Sequence, residues 1–310
     1  MPKQSAFYEE AIPVSKERHT DLAVKVGSDY RFAQNVNSVP LTAVEFRHAA
    51  AEYAIVFLGG AEAVMPVVVL SVVQDQNNYV DEKGQWTAKY VPAFVRRYPF
   101  VFAGSEDDAG LILCIDETFV GCNLEGRGER LFDGEGERTQ YLESVLKFQQ
   151  DYQANFNATR VFCRKLKDLD ILEPMQAKFM TSKGKQYMLS GFMAVNRAKL
   201  KALPDDTLTE LARSDELELA YLHLNSIRNL EAMGRNIQEK ADSTEAGTLE
   251  DTAVSDVAAE STGAITQKAK AELTTRAGVK KKNERDKPKK VRKRTDSDKK
   301  MNLSEDITLG

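Results

Sequence analysis

Two adjacent arginines, Arg96 and Arg97, and two adjacent acids, Asp116 and Glu117, are the residues of this chain best suited to chemistry. A guanidinium can fork onto a carboxylate or phosphate through two parallel hydrogen bonds. An Asp–Glu pair at the end of a strand is a place for acid–base work. Trp86, the single tryptophan, could line a pocket beside them. Together the five mark a candidate site for a small ligand, or for an enzyme of undefined reaction. The alternative is that Arg96 and Arg97 pair with these acids as structural ion pairs or face solvent, with Trp86 packing in its hairpin. No residue is assigned a catalytic role.

Other chemistry is thinly represented. Cys114, Cys122 and Cys163 form no C-x-x-C pair, and His19, His48 and His223 lie far apart with no H-E-x-x-H arrangement. No metal and no cofactor are expected, and the thiols read as ordinary, partly buried cysteines. The stretch EGRGERLFDGEGER, from Glu125 to Arg138, repeats G-x-G-E-R. Bare amides there could cradle a phosphate, but acids line the loop, and two tight turns around Leu131-Phe132 are the simpler reading.

The 310 residues carry 43 Lys and Arg against 47 Asp and Glu, a net charge of -4. That balance averages two unlike parts. Residues 1–234 hold 26 basic and 33 acidic side chains, whereas 235–310 hold 17 and 14 and contain no Phe, Tyr or Trp. A segment without aromatics and dense in charge cannot bury enough apolar surface to offset its chain entropy. The organisation expected is one globular domain over 1–234 and a disordered charged tail over 235–310, acidic across 239–260 and basic across 280–300. In the basic part, Lys289, Lys290, Arg292, Lys293 and Arg294 are candidates for polyanion binding through counterion release. Without interleaved aromatics to stack on bases, the contact expected is weak and salt-sensitive, to a nucleic acid or an anionic surface.

A membrane span is not expected. The most apolar stretch, Ala63 to Val73, has eleven residues with Pro66 inside it, and a spanning helix needs roughly 20. The first residues, MPKQSAFYEEAIPVSKERHTDL, contain no apolar signal core. A cytoplasmic location follows as the expectation, with the cell surface by a non-classical route as the alternative.

Several elements would position the candidate site. Thr42 and Glu45 form a capping box, with Leu41 and Phe46 as a staple, opening a short helix through Ala51. Ala54–Leu58 and Val67–Val73 are continuous apolar runs suited to strands buried on both faces. Tyr79-Val80 and Gln85-Trp86-Thr87 flank Asp81–Gly84 as a hairpin. Leu111–Ile115 reads as another buried strand. Thr139 opens the longest helix, with Tyr141, Val145, Phe148, Tyr152, Phe156, Cys163 and Leu166 along one face. Pro174 reads as a break, and Tyr187–Val195 as a strand after a Lys183-Gly184 turn. A helix follows from Asp205 to Arg213. The last starts at Ser214 with Leu217, Ala220, Tyr221, Leu224 and Ile227 inward and Gly234 as its cap. The fold class expected is α+β: a mixed or antiparallel sheet, with helices concentrated in the C-terminal half.

Beyond these generic signals, a colinear set of motifs resembles the bacterial SapC family. It includes YVDEKGQWTAKYVPAFVRRYPFVFA from Tyr79, Cys114-Ile115-Asp116-Glu117 and Arg130-Leu131-Phe132-Asp133-Gly134-Glu135-Gly136-Glu137. Leu172-Glu173-Pro174, Ser190-Gly191-Phe192, Lys199-Leu200 to Leu203-Pro204, and Leu219-Ala220-Tyr221-Leu222-His223-Leu224 then follow in order. The resemblance covers nearly all of residues 5–234 and leaves the tail without a counterpart. It implies a bacterial protein associated with surface layers, with a non-catalytic accessory role and an unidentified protein or envelope component as partner. It names no reaction. A peptide-transport permease that shares the name is unrelated, and the lack of a spanning segment argues against that reading.

Overall fold

The computed structural model describes residues 7–27, 29–59, 63–104, 111–180, 186–233 and 250–253. The chain divides into two units, 1–270 and 271–310, and every described residue lies in the first. In chain order, β1 (Ala11–Pro13), α1 (Lys16–His19) and β2 (Ala23–Val24) precede β3 (Ser38–Pro40), α2 (Phe46–Ala49), β4 (Ala54–Gly59) and β5 (Val64–Val69). Next come α3 (Ala93–Arg96), β6 (Phe100–Gly104), β7 (Leu111–Asp116), β8 (Cys122–Asn123), β9 (Glu129–Arg130) and the 29-residue helix α4 (Gln140–Asp168). The last are β10 (Leu172–Met180), β11 (Gln186–Val195), α5 (Arg197–Lys201), α6 (Asp205–Arg213), α7 (Glu216–Ser226) and β12 (Glu250–Ala253).

The fold is α+β, as expected, with its strands in three sheets. The largest runs β10-β11-β4-β5-β3, with β12 added to β11 in parallel. The order β1-β7-β6 makes a second, antiparallel sheet, and β8-β2-β9 a small third one. The apolar runs of β4 and β5 are buried on both faces for a visible reason. Ala54, Val56 and Leu58 pack with Tyr187, Leu189, Phe192, Leu230 and Met233, while Ile55 and Phe57 join the main core with Phe162 and Leu166 of α4. Gly59 closes β4 at φ 120°, where an added Cβ would lie 2.0 Å from the Ala63 carbonyl oxygen. Only glycine fits that approach.

Two local readings change in the folded chain, at Pro174 and on α7. Pro174 does not break the structure; it sits in β10 opposite Met193. Strand β10 lies at the edge of its sheet, the place in a sheet that admits proline. Glu250–Ala253, within the segment expected to form the tail, runs parallel to β11 from Tyr187 to Ser190. On α7, Ala220, His223 and Ser226 are the buried residues, whereas Tyr221 is 39% exposed. The turn at Lys183-Gly184, the cap at Gly234 and the basic cluster from Lys289 to Arg294 lie outside the described residues.

The burial on α7 has a polar cause. Strand β11 meets β4 in register only at Met193 and Phe57. His223 fills the opening beside that pair: its Nδ1 faces the Ile55 carbonyl at 2.8 Å, and its Nε2 accepts the Val195 N–H at 3.0 Å. Ser226 accepts the Ile55 N–H at 3.0 Å, and Asn229 donates to the carbonyls of Ala50 and Tyr53. His223 and Ser226 of α7, and Asn229 just beyond its end, thus satisfy backbone groups in and beside β4 and β11 that would otherwise lack a partner.

Candidate functional site

The hairpin carrying Trp86 forms as the Asp-x-x-Gly signal predicts. Asp81 accepts the N–H groups of Lys83 and Gln85, Gly84 takes φ 80°, and Val80 bridges Trp86. Two carboxylates then hold the chain that leads to the arginines. Glu52 accepts the N–H groups of Lys89 and Tyr90 at 3.0 and 3.1 Å. Glu45, buried, accepts the Tyr90 hydroxyl at 2.8 Å and the Ala93 N–H at 2.7 Å on one oxygen. Its other oxygen accepts the Thr42 N–H and hydroxyl at 2.8 and 2.7 Å. The capping box therefore exists, but its acid also grips a loop 48 residues away.

The five nominated residues divide among separate networks. Trp86 donates its Nε1–H to the Tyr53 hydroxyl at 2.7 Å, and Tyr53 donates onward to the Tyr90 carbonyl. Arg96, exposed at the end of α3, donates to the Val91 carbonyl and lies over the rings of Tyr90 and Phe148. Asp116 is fully buried and accepts the N–H groups of Glu9, Glu10 and Thr118 and the Thr118 hydroxyl. Glu117 takes a fork from Arg18 at 2.6 and 2.7 Å and the His19 Nε2 at 2.9 Å. The hydrogen bonds from Arg18 hold its carboxyl below the usual range, and burial holds His19 below the ordinary imidazole value. The acids thus pair with backbone and with Arg18, not with Arg96 or Arg97.

Arg97 is the nominated residue in the most unusual setting. Nine-tenths buried, its guanidinium lies 4.3 Å from the Phe94 ring centroid, 4.8 Å from that of Tyr152 and 5.8 Å from that of Tyr8. Cation–π attraction strengthens when the charge is withdrawn from water. Burial pushes the Tyr8 hydroxyl up to about 12, with Arg97 opposing and Asp116 adding to the shift, so these two charges flank Tyr8. Two buried polar atoms here have no partner among the described residues: Arg97 Nε and Tyr152 Oη. Such atoms in a native fold call for an explanation, often a water or ligand. Gln149 of α4 fixes this corner by donating to the carbonyls of Arg97 and Phe100.

Tyr152 was legible only as one more ring in a helical stripe, and its hydroxyl carried no separate signal. Burial pushes the thiols of Cys122 and Cys163 up to about 12, away from the thiolate that is the reactive form. The loop from Glu125 to Arg138 is turns around buried Leu131 and Phe132, with Gly126, Gly128 and Gly136 at positive φ. Among the described residues, no helix is long and apolar enough to cross a membrane.

The sequence model of the SapC family matches residues 14–233. The chain belongs to the SapC family. The match begins just after β1 and spans α1 through α7, including the Trp86 hairpin, both arginines and both acids. No curated protein and no solved structure matches the chain.

Proposed function

We propose that this SapC-family chain is a non-catalytic accessory protein that works by binding a partner at the cell envelope. The observation that carries the reading is how fully the nominated side chains serve the fold. Asp116 has four donors, Glu117 an arginine fork and a histidine, and Trp86 a tyrosine. Groups held this way position backbone. The surface-layer association of the family supplies the envelope, and the basic segment 280–300 supplies a weak anionic contact. Fractionation of cells expressing the chain at native level, with cross-linking, tests both parts. The full chain is expected in an envelope-associated pool with a cross-linked partner, and a chain ending at residue 279 in one released at lower salt. A wholly soluble pool without cross-links would overturn the envelope role; equal salt release of both chains would overturn the tail's share.

The unpartnered atoms of Arg97 and Tyr152 favour a second reading, a small anionic or polar ligand at this corner. A metabolite extract should then raise the Tm of the wild type and leave Tyr152→Phe unmoved. That variant removes only the hydroxyl, so it should fold. No shift in the wild type would sink this reading.

A further inference from the structure

Helix α4 presents a second charged face, away from the buried stripe and unrelated to the five nominated residues. Arg160, Arg164, Lys167 and Asp168 occur at i, i+4, i+7 and i+8, so they share one side of the helix. The start of β5, Ala63 and Val64, stands against that side and converts it into a cavity of about 240 Å³. Three cations and one carboxylate line it. Arg160 and Arg164, both exposed, repel at this spacing by a few tenths of a kcal/mol, and an anion held between them would relieve that repulsion.

A comparison within the same helix sharpens the point. Lys165, one position from Arg164, is met by Glu210 and Glu216 at 2.6 and 2.7 Å. Its charge is balanced by α6 and α7. Arg160 and Arg164 form no ion pair among the described residues. Their planar forks suit the three oxygens of a phosphate monoester. The walls from Ala63 and Val64 are small and apolar, leaving room for a modest organic group attached to the phosphate.

We propose that this cavity binds the phosphate head of a small phosphorylated metabolite, with Arg160 and Arg164 as its forks. The proposal stands apart from the envelope role, since either can fail alone. Calorimetric titration of the full chain with ribose 5-phosphate, inorganic phosphate and unphosphorylated ribose tests it. Saturable one-site binding of ribose 5-phosphate is expected, tighter than that of inorganic phosphate and absent for ribose. The double variant Arg160→Gln/Arg164→Gln should weaken it by about ten-fold or more, from the loss of two charge-assisted forks. Glutamine keeps helix propensity close to that of arginine, so the variant should stay folded, which circular dichroism checks. Lys147→Gln, exposed on the same helix away from the cavity, should bind as the wild type does. Inorganic phosphate binding as well as ribose 5-phosphate would overturn the metabolite assignment. Undiminished binding in the double variant, an equal loss in Lys147→Gln, or no saturable binding of either phosphate would overturn the site. Binding only to short RNA or to anionic vesicles would also overturn it, assigning the face to a macromolecular surface.

Discussion

Glu45→Ala is expected to destabilise the folded unit by about 4 kcal/mol, because it strands several buried donors at once. The carboxylate accepts from the Thr42 N–H, the Thr42 hydroxyl, the Tyr90 hydroxyl and the Ala93 N–H. Neither backbone N–H has an obvious second acceptor in that packed setting, and each unsatisfied group costs about 1–3 kcal/mol. Glu45→Gln should cost roughly half as much, since its oxygen can serve one pair of donors while its amide cannot accept from the other. Urea unfolding would measure both. The consequence is local as well as global: Ala93 opens α3, which carries Arg96 and leads into Arg97, so the variant should loosen this corner first. Proteolysis between residues 86 and 93 in Glu45→Ala, and not in wild type, would report that loosening. A loss under about 1 kcal/mol in Glu45→Ala would show that water or a neighbour replaces the carboxylate.

The second large effect concerns acid. His223 is fully buried, and burial pushes its imidazole down to about 4, opposed by the Ile55 carbonyl. The unfolded chain takes up the proton near 6.5, the ordinary value, so protonation favours unfolding before it touches the native state. The stability contributed by the neutral ring is therefore complete above pH 6.5 and is lost as pH falls toward 4. Over that window the loss is about 3 kcal/mol from this residue. His19, also held low by burial, acts in the same direction. Glu117, whose carboxyl is held below 4.5, gives way only at lower pH. His223→Gln can still present an acceptor to Val195 and a donor to Ile55, but it does not titrate. Chemical denaturation across pH 7 to 4 should show a steep decline for wild type and a much shallower one for His223→Gln. Parallel declines would mean that the ring is already hydrated or charged in the native state.

Why these two residues carry so much follows from where the regular hydrogen bonding stops. Glu45 satisfies the chain at the irregular approach to α3, and His223 satisfies two strands where their ladder has opened. Both place one polar side chain among backbone groups that lack a partner of their own. Each removal is costly because the surrounding core leaves little room for water. The Arg97 corner is the contrasting case, where Arg97 Nε and Tyr152 Oη have no partner among the described residues.

Much of the frame could be read from residue order alone. Continuous Val, Ile and Leu runs identify β4 and β5 because a strand buried on both faces admits little else. The capping box at Thr42 and Glu45, the Asp81–Gly84 hairpin and the cap of α4 at Thr139 depend on contacts within a few residues. The ordered motifs from Tyr79 to Leu224 were enough to indicate the SapC family. What sequence could not supply was the partner of each polar group. Arg97 lies among rings contributed from residues 8, 94 and 152, and Asp116 turned inward to the backbone at residues 9 and 10. His223 is inward and Tyr221 outward because β4 and β11 present open backbone groups to α7, which no periodicity in α7 itself records. The basic face at Arg160 and Arg164 becomes a cavity only where Ala63 and Val64 stand against it. Local signals determine elements, because their contacts are short in sequence; sites depend on contacts dozens of residues apart, which the tertiary structure alone decides.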